Sequence, residues 1–258
     1  YLQHKRIADR SRMDFVVESF FDATAGEVNV LENQSRDLTK EITVVQGGSF
    51  DIWAPTLKIN EPSVASSLFE SFLTSKNREV QIYTKPRIVY RQITRSDDTR
   101  TLRVSIVPPN SLVKETSFYV EIEPYETSIQ MFILGFLSSR VSDWFVRCVV
   151  DRRILPSLFS YLRVPEVTSD NPLRKRIEDL ARLILGSSEN QLQNWPKTSK
   201  VIAQDLSETQ LLDSIDEIDA SAALLVGLTP TDVRILFETF HSTWQYEERL
   251  MNTLEHYH

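Results

Sequence analysis

The sequence predicts an α+β protein, with a β-rich region followed by a helical C-terminal region. Between residues 41 and 124, short segments alternate polar with apolar side chains, which is the period of a half-buried strand. Beyond Pro124 the apolar residues recur at helical spacing instead. Strands and helices therefore occupy successive parts of the chain, which is the order of an α+β protein and not of a βαβ protein.

Strands are predicted where this alternation is clearest. Every second residue is apolar from Thr101 to Val107 and from Ser117 to Ile122. Two further strands are expected at Glu79–Tyr83 and Arg87–Ile93. The polar residues 95–100 are then expected to form the turn that pairs the strand at Arg87 with the one at Thr101.

Five helices are predicted in the rest of the chain. Helical spacing of apolar residues indicates a first helix of about 20 residues from Ile129 to Cys148. The second runs from Pro172, with Asn171 as its N-cap, to near Gly186. The other three are expected at 208–226, after Thr229-Pro230-Thr231-Asp232, and around Tyr246, Leu250 and Leu254.

The 258 residues divide into four segments by composition. We expect a connecting segment at 1–40, a β-rich region at 41–124, a helical support region at 125–199 and an acidic helical tail at 200–258. Because the chain starts at Tyr1, we expect it to be part of a longer protein. No apolar run approaches the roughly 20 residues of a membrane helix and no secretory signal is visible, so the expected location is cytoplasmic, without membrane contact.

Charge is distributed unevenly along the chain, whose net charge is −7. Residues 76–103 contain 8 basic and 3 acidic residues, a net charge of +5. Residues 200–258 contain 3 basic and 11 acidic residues, a net charge of −8. This asymmetry makes 76–103 a candidate surface for an anionic ligand. In the helix predicted at 208–226, four acidic residues are expected to form a solvated face: Asp213, Asp216, Glu217 and Asp219.

Common catalytic and metal-binding patterns are absent from the sequence. Gly47-Gly48 lacks the spacing of a phosphate-binding loop, and the four histidines show no metal-ligand spacing. Cys148 lies on the apolar stripe of the first predicted helix, so we interpret it as a core residue. We therefore expect no catalytic residue, metal or cofactor in this chain alone.

The basic residues of 76–103 fall on predicted strands and on the turn between them. Alternate residues of a strand share a face, so Arg87 and Arg91 should point the same way, and Arg103 should point away from the apolar face. A planar guanidinium can bind a phosphate or the acceptor edge of guanine through two hydrogen bonds. Two interpretations stay open: a surface for anions or nucleic acid, or a solvated sheet face whose charges pair locally.

Five blocks of the sequence resemble, in order, a region of known enzymes. The most specific comprises Pro86–Ile93, Asp97–Leu102 and Val107-Pro108-Pro109. It resembles a segment that follows the methyltransferase core in type IIG restriction–modification enzymes and in related adenine-specific DNA methyltransferases of phage-defence systems. The other blocks are Gly47–Trp53, Leu134–Ser139 with Asp143-Trp144 and Arg147, Leu162–Pro165 with Asn171–Arg174, and a tail set of Ile218–Ala220, Gly227–Thr229, Phe237–Phe240 and Tyr246–Leu250.

The resemblance implies that this chain is a target-recognition and C-terminal portion without its catalytic core. The family's core binds S-adenosylmethionine through a glycine motif and the flipped adenine through an Asn-Pro-Pro-Tyr/Phe motif, and this sequence has neither. The chain would bind double-stranded DNA and set sequence specificity. The methyltransferase core would lie in the same parent chain or in a separate subunit.

Nine side chains are the candidates for DNA contact under this resemblance. Some would bind phosphates and fix the register, and others would reach base edges. Lys76, Arg78, Lys85 and some of the arginines are expected to bind phosphates, and a smaller set drawn from Arg91, Gln92, Arg95 and Arg100 is expected to reach base edges. The sequence does not assign each arginine to one of these groups, and Arg87 and Arg103 belong to the same basic surface.

Two alternatives to DNA recognition remain. The chain could be a protein-interaction module that docks a separate catalytic subunit through its acidic helices. It could also be a degenerate nuclease, but Glu121-Ile122-Glu123 lacks a lysine at the required spacing. In the DNA-binding interpretation, the acidic tail is expected to face away from DNA and to pack against the missing core or another subunit.

Overall fold

The predicted α+β order is confirmed, with strands in the N-terminal half and helices in the C-terminal half. A computed structural model of the chain describes residues 4–6, 11–12, 41–45, 47–53, 63–65, 67, 70, 85–95, 98–113, 116–120, 122, 125–159, 161–187, 205–239 and 245–257. The strand predicted at Glu79–Tyr83 and the candidate contacts Lys76 and Arg78 lie outside these residues.

The described strands form three small sheets. A four-stranded antiparallel sheet has the order β2-β8-β5-β6, a second sheet has the order β4-β3-β7, and β1 pairs with β9. The strands are β1 His4–Arg6, β2 Ser11–Arg12, β3 Glu41–Val45, β4 Ser63–Ala65, β5 Arg87–Arg91, β6 Val104–Val107, β7 Ser111–Val113, β8 Ser117–Val120 and β9 Arg163–Pro165.

The central strand β5 is covered on both faces. Ile88 and Tyr90 face the main core, where the Tyr90 ring stacks on Phe159 with centroids 4.1 Å apart. Val89 faces the opposite way, into a smaller apolar cluster with Phe50 and residues of β3, β6, β7 and β8. Burial on both faces explains why β5 is apolar at three consecutive positions between its two terminal arginines.

Seven helices lie in the described residues, and their signals in the sequence are mostly confirmed. Asn171 Oδ1 accepts a hydrogen bond from the Arg174 amide at 3.1 Å, and Thr229 forms a capping box with Asp232. Gly227, with φ +75°, follows the third predicted helix. The helices are α1 Thr127–Leu137, α2 Arg140–Val149, α3 Pro156–Phe159, α4 Pro172–Gly186, α5 Glu208–Leu225, α6 Pro230–Glu238 and α7 Glu247–Glu255.

The single helix predicted from Ile129 to Cys148 is wrong, because the chain breaks at Ser138-Ser139. The Ser139 hydroxyl donates to the Phe136 carbonyl at 2.6 Å and accepts from the Ser142 amide at 3.4 Å. Serine hydroxyls satisfy backbone groups at helix ends. The helix therefore ends at these serines, although the apolar residues keep their helical spacing across the break. The strand predicted at Arg87–Ile93 likewise ends early, at Arg91.

One apolar core joins the strands to the helices. It includes Trp53 of the β-rich region, residues of β5, β6 and β8, and residues of α1, α4 and α5 as far as Leu225. Three of the four predicted segments thus contribute side chains to the same core. The helical part therefore supports the sheet directly, and α5 of the acidic tail packs within this chain.

Gly135 permits the close crossing of α1 and α4, and its substitution should be costly. A Cβ at this position would come within 2.5 Å of Ile177 Cγ2. We expect Gly135→Ala to lower the free energy of unfolding by about 1–3 kcal/mol. In urea titrations, Gly135→Ala combined with Ile177→Ala should cost less than the sum of the single variants. Additive costs would show that the crossing does not depend on this contact.

Candidate nucleic-acid interface

The chain between β5 and β6, residues 92–103, contains four of the nine candidate contact residues, Gln92, Arg95, Arg100 and Arg103, and is here called the basic turn. Asp143 of α2 fixes its C-terminal half, because one carboxylate oxygen accepts the backbone amides of Thr101 and Leu102, each at 2.8 Å. The side chain of Asp143 is almost fully buried. Two charge-assisted bonds to a buried carboxylate hold the backbone here in one position.

Two arginines of α2, Arg140 and Arg147, flank Asp143 in the sequence of the helix and also bind the basic turn. Arg140 Nη1 donates to the Thr99 carbonyl at 2.9 Å, and Arg147 Nη2 donates to the Asp98 carbonyl. Both guanidiniums also face the second carboxylate oxygen of Asp143, at 3.5 and 3.4 Å. The three residues, called the α2 cluster below, are buried and occupy helix positions i, i+3 and i+7.

The α2 cluster is joined to the acidic helices. The Arg140 amide donates to Asp219 Oδ1 of α5 at 2.7 Å. Asp219 Oδ2 lies 3.6 Å from Arg249 Nη2 of α7, and Arg249 Nε also donates to Asp216. A continuous path of buried charges therefore runs from the basic turn through α2 to α5 and α7.

The predicted solvated acidic face is wrong for two of its four residues. Asp216 and Asp219 are 0% and 2% exposed. Asp213 is exposed and lies 2.8 Å from His256 Nε2, and Glu217 accepts from Arg176 at 2.6 Å. Charge density in the sequence did not reveal that Arg140 and Arg249, distant in the chain, would cover half of this helix face.

Burial perturbs the ionisation of this path. Burial first, and then the nearby charge of Arg100, lower the pKa of Arg140 to about 9. Burial raises the pKa of Asp216 to about 6, against the opposing effect of Arg249. At neutral pH both groups are therefore still charged. The proximity of Arg100 to Arg140 also shows that the α2 cluster lies directly beneath the basic turn.

Arg87 and Arg91 point to the same side of the sheet, as their spacing predicts, but their surroundings are protein. Arg87 is 5% exposed, stacks over the Tyr119 ring at 4.6 Å and donates to the Ser111 carbonyl. Arg91 is half-buried and donates to the Phe50 carbonyl, and burial followed by the charge of Arg103 lowers its pKa. Both side chains join β5 to neighbouring segments.

Arg103 is held by acidic side chains. Its Nη1 donates to both carboxylate oxygens of Asp51, at 3.2 and 3.1 Å, and its Nη2 lies 3.9 Å from Asp98. Arg103 therefore pairs with nearby acidic side chains, which agrees with the interpretation of the basic surface as a sheet face whose charges pair locally. The pairing uses Asp51 of the β-rich region as well as the turn itself.

The other four described candidates lie on the accessible part of the surface. Lys85 and Arg95 are exposed, and Gln92 and Arg100 are half-exposed. Among the described residues, Arg95 forms no ion pair, whereas Arg100 Nη1 is buried and has no hydrogen-bond partner there. The structure therefore separates three arginines that bind other parts of the protein from four candidates that are exposed or half-exposed, of which Lys85 also lies over the Tyr125 ring at 5.1 Å.

A segment that sequence reasoning missed lies beside the basic turn. The Thr94 amide donates to the Arg152 carbonyl at 3.1 Å, and the Ile154 amide donates to the Gln92 carbonyl at 2.8 Å. Arg152 and Arg153 are both exposed. The sequence signal was a basic pair after a helix, but only the fold brings it to residues some 60 positions earlier.

Two further observations bear on other kinds of site. Cys148, predicted to be a core residue, is exposed, because the break at Ser138-Ser139 changes the phase of α2. In the described residues, no group of three His, Cys, Asp or Glu side chains is placed to hold a metal ion. A search of the same residues for a helix with the length and hydropathy of a membrane span finds none.

Comparisons with known proteins give a distant structural likeness. No protein-family model and no curated protein matches the chain. The chain is similar to a solved structure of MmeI, a type IIL restriction–modification enzyme in complex with DNA, with 13% sequence identity and a TM-score of 0.44. The match covers 94% of this chain and 35% of that one. MmeI is a restriction–modification enzyme, the broad class that the sequence resemblance names, but this degree of likeness assigns the chain to no family.

Removing the carboxylate of Asp143 should destabilise the protein strongly. Asp143→Ala leaves two buried guanidiniums without their shared partner and two amides without an acceptor, so we expect a loss of about 3–5 kcal/mol in the free energy of unfolding. Asp179→Ala, which removes an exposed partner of Arg182, is the control and should cost less than about 1 kcal/mol. Equal costs in urea titrations would contradict a central role for Asp143.

The raised pKa of Asp216 gives a pH-dependent contribution to stability of known sign. The folded protein binds a proton at this carboxyl up to about pH 6, whereas the ordinary value is 3.8. The free energy of unfolding of the unmodified protein should therefore fall, relative to Asp216→Asn, as the pH rises from about 4 to about 6. Urea titrations across this range measure the difference, and parallel pH profiles for the two proteins would refute it.

Proposed function

We propose that this chain is a DNA target-recognition module of a restriction–modification or phage-defence adenine-specific DNA methyltransferase. One observation carries the proposal. Four of the residues selected by the sequence resemblance, Lys85, Gln92, Arg95 and Arg100, are accessible on or beside a turn whose backbone is fixed by buried charges. A fixed backbone favours recognition, because little conformational entropy is then lost when the side chains bind.

The accessible residues divide by the contacts that their chemistry allows. Lys85 carries a point charge suited to phosphate, as do Lys76 and Arg78, which lie outside the described residues. Gln92, Arg95 and Arg100 can form paired hydrogen bonds to base edges in the major groove. We leave Arg87, Arg91 and Arg103 out of the contact set, because their guanidiniums bind Ser111, Phe50 and Asp51.

The catalytic step belongs, in this proposal, to a methyltransferase core outside the present chain. That core would bind S-adenosylmethionine and the extruded adenine, and would be joined to this module in one parent chain or as a separate subunit. The module would hold the duplex and set the sequence at which the core acts. Binding energy from the turn would then offset part of the cost of base extrusion.

A second candidate function is docking of a protein partner through the acidic helices. The observation that favours it is the exposure of three apolar side chains on α5, α6 and α7, which are Leu212, Ile235 and Met251. These side chains lie among the acidic residues that make the tail unsuited to DNA. This candidate predicts no salt-sensitive DNA binding by the basic turn.

Fluorescence anisotropy with a mixed-sequence duplex pool tests the proposal. Between about 50 and 200 mM salt, binding should weaken with a slope of about −0.9 per phosphate contact in a plot of log affinity against log salt. Arg95→Gln with Arg100→Gln should weaken binding at least about tenfold, because two guanidiniums are lost. Arg234→Gln on α6 is the matched control and should bind as the unmodified chain does.

The result that overturns the proposal is equally specific. Binding that is undetectable at about 50 mM salt, with the chain joined to its methyltransferase core, would exclude a recognition function. Binding that Arg234→Gln weakens as much as the double variant would locate the surface elsewhere.

A further inference from the structure

The start of the basic turn pairs with a second chain segment, and the two segments form a short ribbon. Residues 92–94 and 152–154 are antiparallel, with Ile93 opposite Arg153. The amides of Thr94 and Ile154 donate across the ribbon to the carbonyls of Arg152 and Gln92. The ribbon is anchored on its inner side, where Thr94 and Ile154 are buried and the Thr94 hydroxyl donates to the Thr101 carbonyl at 2.6 Å.

The outer side of the ribbon presents an apolar and a basic side chain together. Directly opposed residues of antiparallel strands point to the same face, so Ile93 and Arg153 project side by side. Ile93 is 52% exposed, and Arg153 is exposed as well. Neither Arg152 nor Arg153 forms an ion pair within the described residues. Val149 and Leu155, which flank this segment in the chain, are also exposed.

An aliphatic group held beside an exposed guanidinium matches the wall of a nucleic-acid groove. The wall presents anionic phosphates and, between them, the apolar faces of deoxyribose and base edges. An exposed isoleucine adds nothing to electrostatic attraction for phosphates. Insertion beside a sugar or a base step would remove its apolar surface from water, which is favourable. Arg95, which is exposed, follows Ile93 by two residues in the chain, so the pair adjoins an accessible arginine of the basic turn.

We propose that Ile93 and Arg153 form a second contact to the same duplex, with the Arg153 guanidinium on a phosphate and the Ile93 side chain against the adjoining deoxyribose or base edge. This inference rests on the proposed function and extends it from one turn to two chain segments. Arg152, exposed beside Thr94, adds charge to the same edge.

Two single variants and two matched controls test this inference with the mixed-sequence duplex pool. Arg153→Gln should weaken binding about fivefold and make the salt slope shallower by about 0.9, because one phosphate contact is lost. Ile93→Ala should weaken binding about threefold with no change in salt slope, because it removes apolar burial and no charge. The controls, Arg234→Gln and Ile235→Ala on α6, carry the same exposed residue types and should leave both quantities unchanged.

The outcomes separate this inference from the function on which it rests. If Arg95→Gln with Arg100→Gln weakens binding while Arg153→Gln and Ile93→Ala behave as their controls, the ribbon contact is wrong and the recognition function stands. If the unmodified chain joined to its methyltransferase core does not bind DNA, both fail. Matching thermal midpoints for the variants establish that any loss of binding is not a loss of folding.

Discussion

The buried carboxylate of Asp143 is the interaction on which the proposed surface depends. It accepts two backbone amides of the basic turn and faces two guanidiniums, which in turn bind two carbonyls of the same turn. A buried ion cluster of this kind contributes little net stability over an apolar core, but losing one partner is costly. Its consequence here is geometric, because the α2 cluster holds the backbone of residues 98–102 through its amides and carbonyls and leaves the Arg95 side chain exposed.

The α2 cluster is also bound by acidic residues of the tail. Asp219 accepts the Arg140 amide at the start of α2, and Arg249 joins Asp219 to Asp216. Two of the negative charges of the tail, those of Asp216 and Asp219, are thus buried inside the protein, where they pair with Arg249. The tail is therefore in contact with α2, whose arginines bind the basic turn.

The sequence was sufficient for the order of elements and for most helix ends, because caps such as Asn171 and Thr229 act locally. It failed at Ser138-Ser139, where the chain leaves the helix and the Ser139 hydroxyl binds backbone groups on both sides of the break, although the apolar spacing continues across it. It could not predict which candidate arginines bind within the protein, since Phe50, Ser111 and Asp51 become their partners only in the fold. Spacing within α2 could have revealed Arg140, Asp143 and Arg147, whereas the pairing of Ile93 with Arg153 is purely tertiary.

Hydrogen–deuterium exchange of the chain with and without duplex DNA tests most directly whether the α2 cluster holds the basic turn and whether DNA binds that turn. The amides of Thr101 and Leu102 should exchange slowly even without DNA, because Asp143 holds them. Added duplex should then slow exchange in residues 92–100 and 151–155 and leave α5–α7 unchanged. Protection confined to the acidic helices, or fast exchange at Thr101 and Leu102 in the free protein, would contradict the proposed surface.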